Sequence, residues 1–116
     1  MYSELKGKVA VVTGGGAGIG LACATKLAEL GVAVGIADID AAAANEAANN
    51  LMSQGYRCLA LETDVSKAPQ VDQLFQATSE AFGPIGIAVN NAGVGAPLTP
   101  LGDTEESDFD RIMAVN

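Results

Sequence analysis

The residues of this 116-residue chain that could do chemistry are glycines packed into one turn and polar residues placed just after apolar runs. Gly14, Gly15, Gly16 and Gly18 stand between the apolar run Val9 to Val12 and a helical pattern that starts at Ile19, and Gly20 lies in the first turn of that pattern. A turn so poor in Cβ atoms, opening a helix, lets a phosphate reach bare backbone N–H groups at the positive end of the helix dipole. The same composition also suits a sharp strand-to-helix corner that binds nothing. The strand before it and the helix after it favour the dinucleotide reading. Asp38 follows the second apolar run, roughly 20 residues beyond Gly20, where a strand-end carboxylate can accept both hydrogen bonds of an adenosine ribose diol. Its other reading is a strand-end turn or a helix cap. Asp64 lies in Thr63-Asp64-Val65-Ser66, where an Asp is at home for purely local reasons. Asn90 and Asn91 close a fourth apolar run.

These residues need elements to position them. Val9 to Val12 is the first predicted strand. The helix from Ile19 to about Leu30 stops at Gly31. Val32 to Ala37 is a second strand, too apolar to have one wet face, and it ends at Asp38. Asp40 caps a second, alanine-rich helix that reaches Gln54, with Gly55 as its stop. Cys58 to Glu62 is a third strand, with Leu59 and Leu61 on one face. A third helix runs from about Pro69 to Phe82, with Val71, Leu74, Phe75, Thr78 and Phe82 at helical spacing. Ile85 to Asn90 is a fourth strand, followed by a loop to Asp103. Thr104 can cap a fourth helix that carries Phe109, Ile112 and Met113. Strands alternating with helices predict an α/β fold with a doubly wound parallel sheet. Right-handed crossovers that reverse after the third strand give the order 3-2-1-4. The switch point then brings Gly14 to Gly20 beside Asn90 to Gly93.

Composition narrows the function classes. The chain is 49% hydrophobic but only 4% aromatic, which fits a buried sheet under helices. A net charge of −8, with no block of like charges, argues against nucleic-acid and membrane-surface partners. An anionic cofactor would therefore be held by local backbone dipoles. Cys23 and Cys58 read as small buried residues rather than a disulfide or a metal pair, and no metal site is expected without histidine. The longest apolar runs fall far short of the ~18 residues of a membrane span, no signal peptide is seen, and a cytoplasmic setting is expected.

The glycine spacing, Thr13-Gly14-x-x-x-Gly18-x-Gly20, resembles the Thr-Gly-x-x-x-Gly-x-Gly motif of the short-chain dehydrogenase/reductase family. Three further motifs agree in order. Asp64-Val65 looks like the family's adenine-side pair, Asn90-Asn91-Ala92-Gly93 matches its Asn-Asn-Ala-Gly, and Asn116 falls where it has a helix-borne catalytic Asn. The resemblance covers the whole chain and implies a Rossmann-like, NAD-binding half-domain over residues 1–116.

It also implies roles. Gly14, Gly18 and Gly20 would admit the pyrophosphate, with the Ile19 N–H facing it. Asp38 would read the ribose and repel a 2′-phosphate. With no Arg or Lys in the glycine loop or directly after Asp38, NAD is expected over NADP. Asp64 would accept from the adenine amino group with the Val65 backbone alongside. Backbone at Asn90, Ala92 and Gly93 would line the adenosine ribose, while the Asn side chains brace neighbouring strands. The Asn116 carbonyl would hold a water of a proton relay.

The family's Ser, Tyr and Lys follow that Asn, and none has a counterpart here. Tyr2-Ser3-Glu4-Leu5-Lys6 matches Tyr-x-x-x-Lys in form only, since it precedes the first strand. Tyr56 has Ala60 at the fourth position. The chain therefore reads as the truncated cofactor-binding part of an NAD-dependent oxidoreductase acting on an alcohol or ketone, and as inactive by itself. The competing reading is a non-catalytic dinucleotide- or adenosine-binding module, or a self-associating one. A homo-oligomer through the fourth helix or the exposed fourth strand is expected in either case.

Overall fold

The computed structural model of the protein describes residues 5–91. In chain order the elements are β1 (Val9–Thr13), α1 (Gly18–Glu29), β2 (Ala33–Asp38), α2 (Ala41–Ser53), β3 (Cys58–Glu62), α3 (Ala68–Phe82) and β4 (Ile87–Asn90). All four strands run parallel in the order β3-β2-β1-β4, as the alternation of elements predicts. The predicted fourth helix lies outside the described residues.

Strand alternation sorts the sheet's side chains between two layers of helix. Ala10, Val12, Val34, Ile36, Cys58, Ile87 and Val89 face α1 and α2, in one cluster with Leu27, Ala28, Ala44, Ala48 and Leu51. Val11 and Ala37 face the other way and bury Leu74 of α3. Small residues let α2 lie close to the sheet: Ala44, Ala47 and Ala48 are all buried. On the other layer, Gly35 of β2 makes room for Thr78 of α3. A Cβ at Gly35 would overlap the Thr78 hydroxyl, which is fully buried and has no hydrogen-bond partner among the described residues.

Helix ends follow the expected signals. The Asp40 carboxylate accepts from the Ala43 N–H at 3.1 Å, which caps α2. Two strand starts differ from the sequence reading. The Val32 N–H donates to Leu27 O at 3.1 Å, so Val32 closes α1 instead of opening β2. β4 starts at Ile87 rather than Ile85. The Gly86 N–H, bonded to Val9 O at 2.9 Å, makes the first link to β1.

Candidate functional site

The parallel strands deliver their C-terminal ends to one edge of the sheet, and every described site residue is there. The glycine turn is tied down by backbone first. Gly14 and Gly18 have φ of 64° and 58°, a region that side chains with a Cβ avoid. The Gly15 N–H donates to Ala37 O at 3.0 Å, which fastens the turn to β2. α1 then starts almost on top of the turn. A Cβ at Gly20 would overlap the carbonyl oxygen of Gly14 and come within 2.9 Å of Asn91 Nδ2.

The N-terminus of α1 is left open. Its N-cap, Ala17, contributes no side-chain hydrogen bond, and no acidic residue lies in the first turn. The first helical bond is from Leu21 N–H to Ala17 O. Among the described residues, the N–H groups of Gly18, Ile19 and Gly20 therefore keep their donors free, at the positive end of the helix. Free donors without a carboxylate cap make a seat for an anion.

Asp38 stands beside that seat. Its Oδ2 accepts from the Gly16 N–H and its Oδ1 from the Asp40 N–H, both at 3.0 Å. Gly16 cannot be replaced without cost, because a Cβ there would come within 2.9 Å of Asp38 Oδ2 and 2.8 Å of Ala43 Cβ. The carboxylate is thus held by two backbone donors and keeps lone pairs for further donors.

The next corner follows β3. The Thr63 N–H donates to Asp38 O at 2.9 Å, which sets the two corners side by side. Asp64 Oδ1 accepts from Ser66 Oγ at 2.6 Å and from the Ser66 N–H at 3.0 Å. These two bonds, the hydroxyl's first, hold the Asp64 carboxyl below its ordinary range, with the Lys67 charge helping. The Asp64 N–H donates to Gln70 Oε1 at 2.8 Å, and Lys67 N–H closes the turn on Asp64 O at 3.0 Å. Among the described residues the Val65 N–H is the one backbone donor of this turn left unspent, on the residue after Asp64, whose Oδ2 is likewise unspent. A free donor beside a free carboxylate acceptor complements the edge of an adenine, which offers an acceptor nitrogen and an amino group.

Asn90 and Asn91 sit at the switch point between β1 and β4. Thr13 Oγ1 donates to Asn90 Oδ1 at 2.7 Å, and the Asn91 N–H reaches Thr13 Oγ1 at 3.2 Å. These bonds brace β1 against β4 beside the glycine turn. Ala92, Gly93 and Asn116 lie outside the described residues. The sequence reading missed Ile39, whose side chain is 66% exposed between Asp38 and Asp40. A large apolar residue flanked by two acids at a strand end was the available signal. With the exposed Ile19 and Val65, it gives each of the first three strand ends an apolar side chain open to solvent.

The short chain dehydrogenase family model matches residues 8–116. The chain belongs to the short chain dehydrogenase family. It is 41% identical to a short chain dehydrogenase/reductase, astE, of Aspergillus oryzae over 97% of this chain and 44% of that protein. Among solved structures, a family member from Burkholderia phymatum in complex with NAD is similar at 41% identity and TM-score 0.72, over 74% of this chain and 31% of that one. A hydroxysteroid dehydrogenase from Escherichia coli is similar at 35% identity and TM-score 0.75, over 92% of this chain and 43% of that one. The chain spans less than half the length of the curated relatives it matches. No helix among the described residues is long and apolar enough to cross a membrane.

Proposed function

We propose that this chain is the cofactor-binding half-domain, residues 1–116, of an NAD-dependent oxidoreductase that acts on an alcohol or ketone. The observation that carries the reading is the Asp38 carboxylate, pinned by the Gly16 and Asp40 N–H groups beside the open end of α1. A fixed anion next to an anion seat suits a ligand with a phosphate and, one step along, a pair of hydroxyl donors. Gly14, Gly18 and Gly20 let the pyrophosphate approach, and the Ile19 N–H faces it. Asp38 takes the ribose diol, Asp64 Oδ2 and the Val65 N–H take the adenine edge, and Ile39 and Val65 offer apolar surface to the base. Backbone at Asn90, Ala92 and Gly93 lines the ribose, and the Asn116 carbonyl holds a water of the proton relay. The bound nicotinamide supplies the carbon that accepts or gives up a hydride.

NAD is favoured over NADP because a 2′-phosphate would meet the Asp38 carboxylate with no Arg or Lys in the glycine loop to compensate. The NAD complex of the Burkholderia phymatum relative supports a nicotinamide dinucleotide as the cofactor. Without the family's Ser, Tyr and Lys, the chain by itself holds cofactor and turns nothing over. Two free cysteines, Cys23 and Cys58, suit the reducing cytoplasm. Copies associate through the fourth predicted helix or the edge of β4.

The test is a calorimetric titration of the chain with NAD, ADP-ribose and NADP. NAD and ADP-ribose are expected to bind with similar affinity and NADP at least about tenfold more weakly, about 1.4 kcal/mol. Equal binding of NADP would overturn the NAD preference. No binding of any of the three would overturn cofactor binding by this chain.

A further inference from the structure

Gln70 is the one α3 side chain that reaches back into the β3–α3 corner. It is the third residue of α3, after Ala68 and Pro69. A Gln at this place ordinarily turns back to the N–H of the helix's own N-cap. Here that donor, the Lys67 N–H, is already bonded to Asp64 O. The Gln70 Oε1 instead crosses six positions to the Asp64 N–H, at 2.8 Å and partly buried. It therefore serves the loop and not the helix end.

We propose that Gln70 is a positioning residue for adenine recognition, setting which donor and which acceptor the corner presents. This rests on the cofactor reading above. The corner's N–H groups are spent one by one: Thr63 on Asp38 O, Asp64 on Gln70, Ser66 on the Asp64 carboxylate, Lys67 on Asp64 O. Among the described residues this leaves the Val65 N–H as the unspent backbone donor and Oδ2 as the unspent oxygen of the Asp64 carboxylate, on adjacent residues. By consuming the Asp64 N–H, Gln70 removes a competing donor and fixes the peptide that aims the Asp64 side chain. Ser66 fixes one carboxylate oxygen, so the other is the one that faces a ligand. Without the Gln70 acceptor, the Asp64 N–H is unpaired and the turn is free to rotate toward another partner, which misaligns the pair.

The test uses NAD and its hypoxanthine analogue, in which the amino group is replaced by an oxo group and the neighbouring ring nitrogen carries a proton. The analogue reverses both hydrogen bonds of the base edge and leaves the phosphates, riboses and nicotinamide unchanged. The wild-type chain is expected to bind NAD about tenfold more tightly than the analogue, the effect of one well-made hydrogen bond to a charged group. In Gln70→Ala, NAD affinity should fall by about that factor while the analogue's is unchanged, so the preference disappears. Gln70→Glu keeps the acceptor oxygen and should keep the preference. Gln70→Met, similar in length but without an acceptor, gives the same reading as alanine if the shorter side chain unfolds the corner. Retention of the preference in both Ala and Met variants overturns the proposal. So does an equal loss for both dinucleotides, since a merely structural role moves the two together. If the wild-type chain binds neither dinucleotide, the cofactor reading fails, an outcome distinct from a variant that behaves like wild type.

Discussion

The corners after β2 and β3 each present a carboxylate, Asp38 as the last residue of β2 and Asp64 two residues beyond β3, and they are built differently. At the first, the glycine turn and Asp38 are held by backbone: Gly15 N–H on Ala37 O, Gly16 N–H and Asp40 N–H on the carboxylate. Neighbouring atoms leave no room for a Cβ at Gly16 or Gly20. At the second, the Ser66 N–H likewise takes the carboxylate and the Lys67 N–H takes Asp64 O, but two side chains are added to them, Ser66 Oγ on the carboxylate and Gln70 Oε1 on the Asp64 N–H. A backbone donor loses no side-chain rotamer entropy of its own and changes only if the chain moves. Side-chain links cost entropy to order and can be exchanged one residue at a time. The first corner is therefore sensitive to volume, the second to chemistry.

The largest expected effect breaks the first corner. In Gly20→Ala the new methyl overlaps the Gly14 carbonyl oxygen, a backbone atom that cannot rotate away. The helix must lift off the turn, at a cost of about 3 kcal/mol, the upper part of the range for overpacking. A fall in the urea midpoint should accompany loss of ADP-ribose binding in the titration. Wild-type binding by this variant would show that the turn tolerates volume, and the contrast between corners would collapse.

A smaller effect tests what the second corner rides on. Gly35→Ala pushes its methyl against Thr78 Oγ1 and within 3.0 Å of Thr78 Cγ2, so α3 moves with the corner it carries. The expected cost is about 1–3 kcal/mol. Thr78→Ala alone should be near neutral, because the lost methyl is offset by removal of an unpaired buried hydroxyl. The double variant should recover most of the loss, a coupling of about 1 kcal/mol or more in a double-mutant cycle read by urea unfolding. Additive losses would mean that α3 is seated by something other than this contact.

The same division explains what could be read from the sequence. The frame was legible because periodicity and stop signals are local: the strand order and the Asp40 cap follow from them. So was the first corner, since a backbone-built turn must be written in glycine. Val32 was misplaced although Gly31 was read as the helix stop: after such a glycine the next N–H folds back onto the helix, here onto Leu27 O, so Val32 belongs to the cap and not to the strand. Gln70 was passed over because a polar residue in a helix's first turn looks like any solvent-facing one. Its link to Asp64 exists only once the loop is folded. Ile39 was missed for the opposite reason, as an apolar residue is ordinarily counted toward the core.

The smallest effect separates the two carboxylates by pH. Ser66, through its hydroxyl first and its N–H second, holds the Asp64 carboxyl below the ordinary range, so it binds protons more weakly folded than unfolded. Stability from that shift is complete above the unfolded value, about pH 3.9, and is lost as pH falls through the lower folded value. Ser66→Ala removes the first cause and keeps the second, which moves the folded value back up. The variant should therefore be less stable than wild type near neutral pH, and the gap should narrow toward about pH 2 as the carboxyls take up protons. The gap should also be small, since Asp64 faces solvent and its partners are screened. Urea midpoints of both proteins at the two pH values measure it. A gap of the same size at both would show that the hydroxyl acts through the turn's geometry and not through the charge. In that case the second corner would be held by shape, as the first is.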